Sequence, residues 1–208
     1  MAYSGIRIHG RVFSWRTSYT RGVRCLSRFM YHGTNTVIGE INLEKSRLRT
    51  DFGKGFYLTD SIETAQNWAA RKVSAVGGVA TIIRYGVNHD VYSLTGRRFE
   101  NAPSYEWLEF IVLNRKRSAK VDSNKEPRHT YNWVSGPIAD DKIADVVDNY
   151  LAGDTDIDEA IGLARALPQV FQLSLHTQSS LSAVDENLVH FKQFKDSRWS
   201  KDWMVRKR

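Results

Sequence analysis

A single cysteine, Cys25, in 208 residues excludes an intramolecular disulfide framework and a cysteine cluster for zinc, and it permits a reducing compartment. Long apolar runs are missing too. None approaches the ~20 residues that cross a bilayer, so the chain reads as soluble and cytoplasmic with no membrane partner. The six histidines show no metal-ligand spacing, and His89-Asp90 reads as a turn; no metal is expected. No Gly-x-Gly-x-x-Gly run follows a candidate strand, which argues against a Rossmann dinucleotide site. Internal repeats, low-complexity tracts and Gly/Ser-rich linkers are absent, which leaves one domain with extensions. Acidic residues are missing before Glu40.

What is present is a folded composition, with 41% hydrophobic and 12% aromatic residues in a chain long enough for a proper core. Charge is unevenly spread. Residues 1–28 hold six Arg and no acid, and residues 191–208 hold seven Lys or Arg against two Asp. Ends at +6 and +5 against a total of +7 leave −4 for the middle. The organisation expected is therefore a basic N-terminal extension (1–28), a mildly acidic body (29–190) and a basic aromatic C-terminal tail (191–208). Cations interleaved with aromatics suit phosphate contact and base stacking. Phe191 and Phe194, at helical spacing, equally suit an end helix docked on the core. The Arg-rich N-terminal arm also fits an organellar transit peptide, and Met30 is an alternative start to Met1.

Local patterns predict mixed α and β elements. Strands are expected over Arg28 to His32, Gly55 to Leu58, Val79 to Tyr85, Tyr131 to Val134 and Phe171 to Leu175. Asp60 followed by Glu63 reads as a capping box opening a helix that buries Ala65, Trp68 and Ala69. Trp107, Phe110 and Ile111 mark a helix from Tyr105 to Arg115, and Asp154 to Leu167 reads as a helix stopped by Pro168. Ser179 to Val184 starts a last helix. Strands scattered among helices without regular βαβ spacing point to α+β.

Two motifs speak about chemistry. Tyr31-His32-Gly33-Thr34 pairs a hydrogen-bonding imidazole with a glycine, and Gly53-Lys54-Gly55-Phe56-Tyr57-Leu58-Thr59 sets an aromatic ring beside two glycines. Glycines let a ligand approach the backbone closely, and an imidazole with a ring suits a flat, amide-bearing heterocycle. The plainer reading is a strand end and a core strand.

Tyr-His-Gly-Thr followed by Gly-x-Gly-Phe-Tyr-Leu-Thr resembles the first two signature motifs of the ADP-ribosyltransferase superfamily. Glu106 to Arg115, Ser135 to Asp141 and Phe171 to Thr177 extend the likeness toward an uncharacterised bacterial family within it. The resemblance implies split antiparallel β-sheets with peripheral helices, with NAD bound as substrate in the cleft and cleaved between nicotinamide and ribose. It implies that His32 bonds a ribose hydroxyl, that the Gly33 backbone grips the nicotinamide amide, and that Tyr57 stacks on the ring. Thr34 and Gly55 complete that wall. The superfamily's late-strand Glu is replaced here by Gln172, whose amide oxygen suits the ribose hydroxyl but carries no charge; either a carboxylate from elsewhere supports catalysis, with Glu106, Glu109, Asp140 and Asp141 as candidates, or activity is modest or absent. Arg115 suits a pyrophosphate or, alternatively, the C-terminus of its own helix. The implied activity is ADP-ribosyl transfer to a macromolecular acceptor, nucleic acid or protein, in the manner of a toxin or effector with a cognate antitoxin. NAD hydrolysis and a catalytically inactive binding module are the alternatives.

Overall fold

The computed structural model describes residues 28–207 apart from Asn101, 116–128, Asp140 and Asn187. Residues 1–27 of the N-terminal extension, with Cys25, and the candidate acid Asp140 lie outside the described residues, as does the side chain of Asp141.

The fold is α+β around a mostly antiparallel sheet. Its strands are β1 (Arg28–Thr34), β2 (Phe56–Thr59), β3 (Thr81–Val87), β4 (Gly96–Arg98), β5 (Trp133–Pro137), β6 (Phe171–Leu175), β7 (Leu188–Lys195), β8 (Arg198–Trp199) and β9 (Met204–Lys207). The order is β4-β5-β6-β2-β1-β3-β7-β8, with β9 also on β7. Pairing is antiparallel except between β4 and β5. One junction is unlike the rest. β1 runs seven pairs along β3, but it meets β2 through the single pair Tyr31↔Thr59. Beyond that pair the ladder between β1 and β2 stops, and this break in pairing between the halves of the sheet is the notch.

Alternation along the strands supplies two cores. Met30, Phe56, Leu58, Ile83, Tyr85, Leu173, Leu175 and Val189 belong to one buried cluster spanning both halves. The other face is covered over β5, β6 and β2 by α2 (Tyr105–Arg115), α3 (Asp141–Ala152) and α4 (Ile157–Ala166), which enclose Trp107, Ile111, Val134, Ile143, Val147 and Ile161. Trp107 is fully buried and donates its indole N–H to the Pro137 carbonyl, 3.2 Å away. Burying such a ring contributes roughly 2–3 kcal/mol, and the bond removes the cost of its polar atom.

Helix α1 (Ile62–Val76) crosses the other half of that face at Gly33. Its N-cap is Ser61, which accepts from the Thr64 N–H, one residue later than the expected Asp60. The cause is that β2 extends through Thr59, paired on one side with Tyr31 and on the other with Gln172. Ala65 and Ala69 are buried as expected, whereas Trp68 is only half-buried. α4 begins at Ile157 behind the N-cap Asp156, and α3 is a separate helix before it. The last short helix, α5 (Gln178–Leu181), is closed by a Thr177–Ser180 capping box.

The C-terminal region differs most from expectation. Where a basic tail or a docked end helix was expected from Phe191 onward, β7, β8 and β9 pair into the sheet. β7 and β8 are joined by Asp196 and Ser197, at φ 50° and 59°. Two successive positive φ values match the hairpin turn whose twist fits paired strands.

Candidate functional site

The pair that joins the two halves also gathers the motif residues. Tyr31 opposes Thr59, Thr59 opposes Gln172, and Gln172 opposes Gly136, a single row across four strands. His32 and Gly33 follow Tyr31 into the notch, and Tyr57 lies two residues before Thr59.

His32 bridges the notch. Its Nδ1–H donates to the Tyr57 carbonyl at 2.8 Å, since a carbonyl oxygen can only accept, and its ring stacks on Phe56 with centroids 4.6 Å apart. Burial pulls its pKa down to about 4; the bond to Tyr57 opposes that shift, and Lys72 adds to it. The ring is therefore neutral, with Nδ1 protonated and Nε2 bearing a lone pair.

Two further histidines hold the same loop. His176 Nδ1–H donates to the Lys54 carbonyl at 2.9 Å and His129 Nε2–H to the Phe52 carbonyl at 2.8 Å. Carbonyls 52, 54 and 57 are thus each capped by a different imidazole. The second nitrogens of these two are occupied: Nε2 of His176 lies 2.8 Å from the Ser174 hydroxyl, and Nδ1 of His129 accepts from the Tyr131 N–H. Burial lowers both pKa values, that of His176 to about 4. His32 differs. Among the described residues its Nε2 has no partner, which leaves a fixed hydrogen-bond acceptor at the notch.

Tyr57 is anchored at its tip. Its hydroxyl donates to the Gly53 carbonyl at 2.7 Å, accepts from the Phe52 N–H at 3.0 Å and lies 2.8 Å from Thr50 Oγ1. Burial raises its pKa, so the phenol stays protonated. Gly53 closes this turn at φ 82°, a conformation costly for any residue with a Cβ. The Tyr57 ring lies on the side of β2 opposite Phe56, packed near Phe52, and is half-buried. His32 and Tyr57 therefore meet through a backbone carbonyl rather than ring to ring.

The two motif glycines serve the protein's own packing. A Cβ on Gly33 would lie 2.0 Å from the Ala65 carbonyl oxygen, so Gly33 is where α1 touches the sheet. One on Gly55 would meet His176 Nδ1 at 2.7 Å. Thr34 is buried at the end of β1, opposite Thr81, with Lys72 Nζ 3.5 Å from its hydroxyl.

Gln172 and Arg115 converge on an acid that the sequence reading passed over. Asp51 is 7% exposed. Its Oδ1 accepts from Arg115 Nε at 3.0 Å and Nη2 at 2.5 Å, and its Oδ2 accepts from the Ala139 N–H at 3.0 Å and Gln172 Nε2 at 2.8 Å. Arg115 Nη2 also donates to the Ala139 carbonyl. The guanidinium is thus spent on Asp51, and the Gln172 amide nitrogen faces the carboxylate. Glu106 and Glu109, two of the acids considered for charge support, are exposed on α2, with Glu106 bonded to the Ser104 hydroxyl. The signal that could have found Asp51 is its place beside Phe52-Gly53, directly before the second motif. His129 and His176 carried no local signal.

Among the described residues no group of His, Cys, Asp and Glu could hold a metal, and no helix is long and apolar enough to cross a membrane. A family model described as a protein of unknown function (DUF3990) matches residues 29–185, and the chain belongs to that family. No curated protein and no solved structure matches.

Proposed function

We propose that this member of the family is an NAD-dependent ADP-ribosyltransferase acting on a macromolecular acceptor, in the manner of a toxin or effector. The observation that carries the reading is the His32 ring: neutral, fixed in one tautomer, and left with an unpartnered acceptor at the notch where the row Tyr31–Thr59–Gln172 joins the two halves. An acceptor nitrogen in that state suits a ribose hydroxyl. Tyr57, immobilised at its hydroxyl, presents its ring on the opposite side of β2 and meets His32 through its carbonyl alone. Asp51 is the carboxylate beside Gln172, and its role is to orient: holding the amide nitrogen turns Oε1 away, and that oxygen has no protein partner among the described residues. Gln172 would then accept from a sugar hydroxyl while Arg115 balances Asp51.

The test is nicotinamide release from labelled NAD, with label incorporation followed in lysate. His32→Ala should lower release at least about a hundredfold, the usual cost of one preorganised hydrogen-bonding group. Release without incorporation would assign NAD hydrolysis. Wild type that binds NAD without releasing nicotinamide would assign a binding module, which the uncharged Gln172 on the late strand favours. Absence of both binding and release would defeat the reading.

A further inference from the structure

The half of the second sheet face not covered by α2, α3 and α4 carries a surface of its own. β1, β3, β7 and β9 contain six Lys or Arg and no Asp or Glu; Arg84 and Lys192 stand on this face, whereas Arg206 pairs with the buried Val189 and belongs to the other. α1 crosses this half at Gly33, and beyond the crossing Phe29 is 53% exposed. The Arg84 guanidinium carbon sits 4.6 Å from the centre of the Phe29 ring and 4.7 Å from that of Trp203. Tyr31 stacks on Trp203 at 6.0 Å and 18°, and Lys192 Nζ lies 5.4 Å from the same indole.

The chemistry of this patch is specific. Arg84 is held between two rings with no carboxylate partner among the described residues, and its Nε is buried without any hydrogen-bond partner. Among the described residues no carboxylate forms an ion pair with it. Lys192 donates to the Lys201 carbonyl, which fixes a second cation beside Trp203; Asp202 is the acid next to that indole in the chain. Flat rings interleaved with cations on an open sheet match unpaired bases and a phosphate backbone. A duplex hides its base faces and could use only the cations.

We propose that this face binds single-stranded nucleic acid, with bases stacking on Phe29 and Trp203 and phosphates meeting Arg84 and Lys192. Where the transfer reaction holds, this is the docking surface of a nucleic-acid acceptor; the binding needs no NAD and is measured apart from turnover.

The experiment is fluorescence anisotropy of labelled oligo-U and oligo-dT with the full chain, without NAD, across a salt series. Binding to either strand is expected, and the tighter one identifies the source. Phe29→Ala and Trp203→Ala should each weaken it about tenfold with an unchanged salt slope, since stacking is lost and charge is not. Lys192→Gln should reduce the slope by roughly 0.7. Phe29 is exposed enough that its variant keeps the fold, checked by an unchanged melting curve. The proposal is overturned if neither strand binds, if Phe29→Ala binds like wild type, or if duplex binds as tightly as single strand. An acidic polypeptide whose binding shows the same loss on Phe29→Ala would assign the face to a protein partner and overturn it as well.

Discussion

The covered and open halves of one sheet face solve the same problem in opposite ways. Under α2, α3 and α4 the polar groups that the strands turn inward take protein partners, apart from Gln172 Oε1. Gln172, Ser174, Tyr57, Asp51 and His176 are accordingly tied to one another and to the 50–57 loop. On the open half, water serves that purpose. Phe29 stays exposed, and Arg84 and Trp203 stay partly so, packed on one another rather than tied into a hydrogen-bond network. The His32 ring lies on the opposite face, stacked on Phe56, with one nitrogen bonded to the Tyr57 carbonyl and one left over.

Acid should separate the halves most strongly. His32 and His176 titrate near 4 in the fold and near 6.5 unfolded, so between those values the unfolded chain binds more protons. Their contribution is complete above pH 6.5 and is lost as pH falls toward 4, with a slope of at most ~1.4 kcal/mol per pH unit for each histidine. Urea unfolding as a function of pH reads this, and a flat profile over that window would mean that the imidazole clamps on the 52–57 loop carry little weight. Asp51→Ala should come next. It strips Arg115, Gln172 and the Ala139 N–H of their acceptor at once and should cost about 4 kcal/mol, against which Asp51→Asn should lose less. Gly33→Ala should destabilise by about 3 kcal/mol, because a Cβ there overlaps backbone of α1 and the helix must move. Phe29→Ala should change stability by less than about 0.5 kcal/mol, as surface changes generally do. A larger loss would show that the open half is part of the structural core after all.

Elements built from local pattern were legible. β1, β3 and β6 follow their β-branched and aromatic runs, and α1 and α2 their apolar spacing, with ends off by a residue or two where pairing extended a strand. β7, β8 and β9 were not legible. Their cations and rings look the same in a tail, a helix face or an edge strand, and the Asp196-Ser197 turn lacks the glycine that usually announces a hairpin. The parallel pairing of β4 with β5 joins segments separated by α2 and leaves no local trace.

The site divides along the same line. The sequence alone determined that His32, Gly33 and Tyr57 belong to ordered motifs and that the late strand offers Gln172 rather than a carboxylate, because residue identity and order are local facts. Only the tertiary structure decided that Asp51 holds Gln172 and Arg115, that three histidines cap one loop, and that His32 alone among them keeps an open nitrogen. Those relations join strands and helices distant along the chain, and hydrogen-bond satisfaction in a water-free interior is settled by what packing brings within 3 Å.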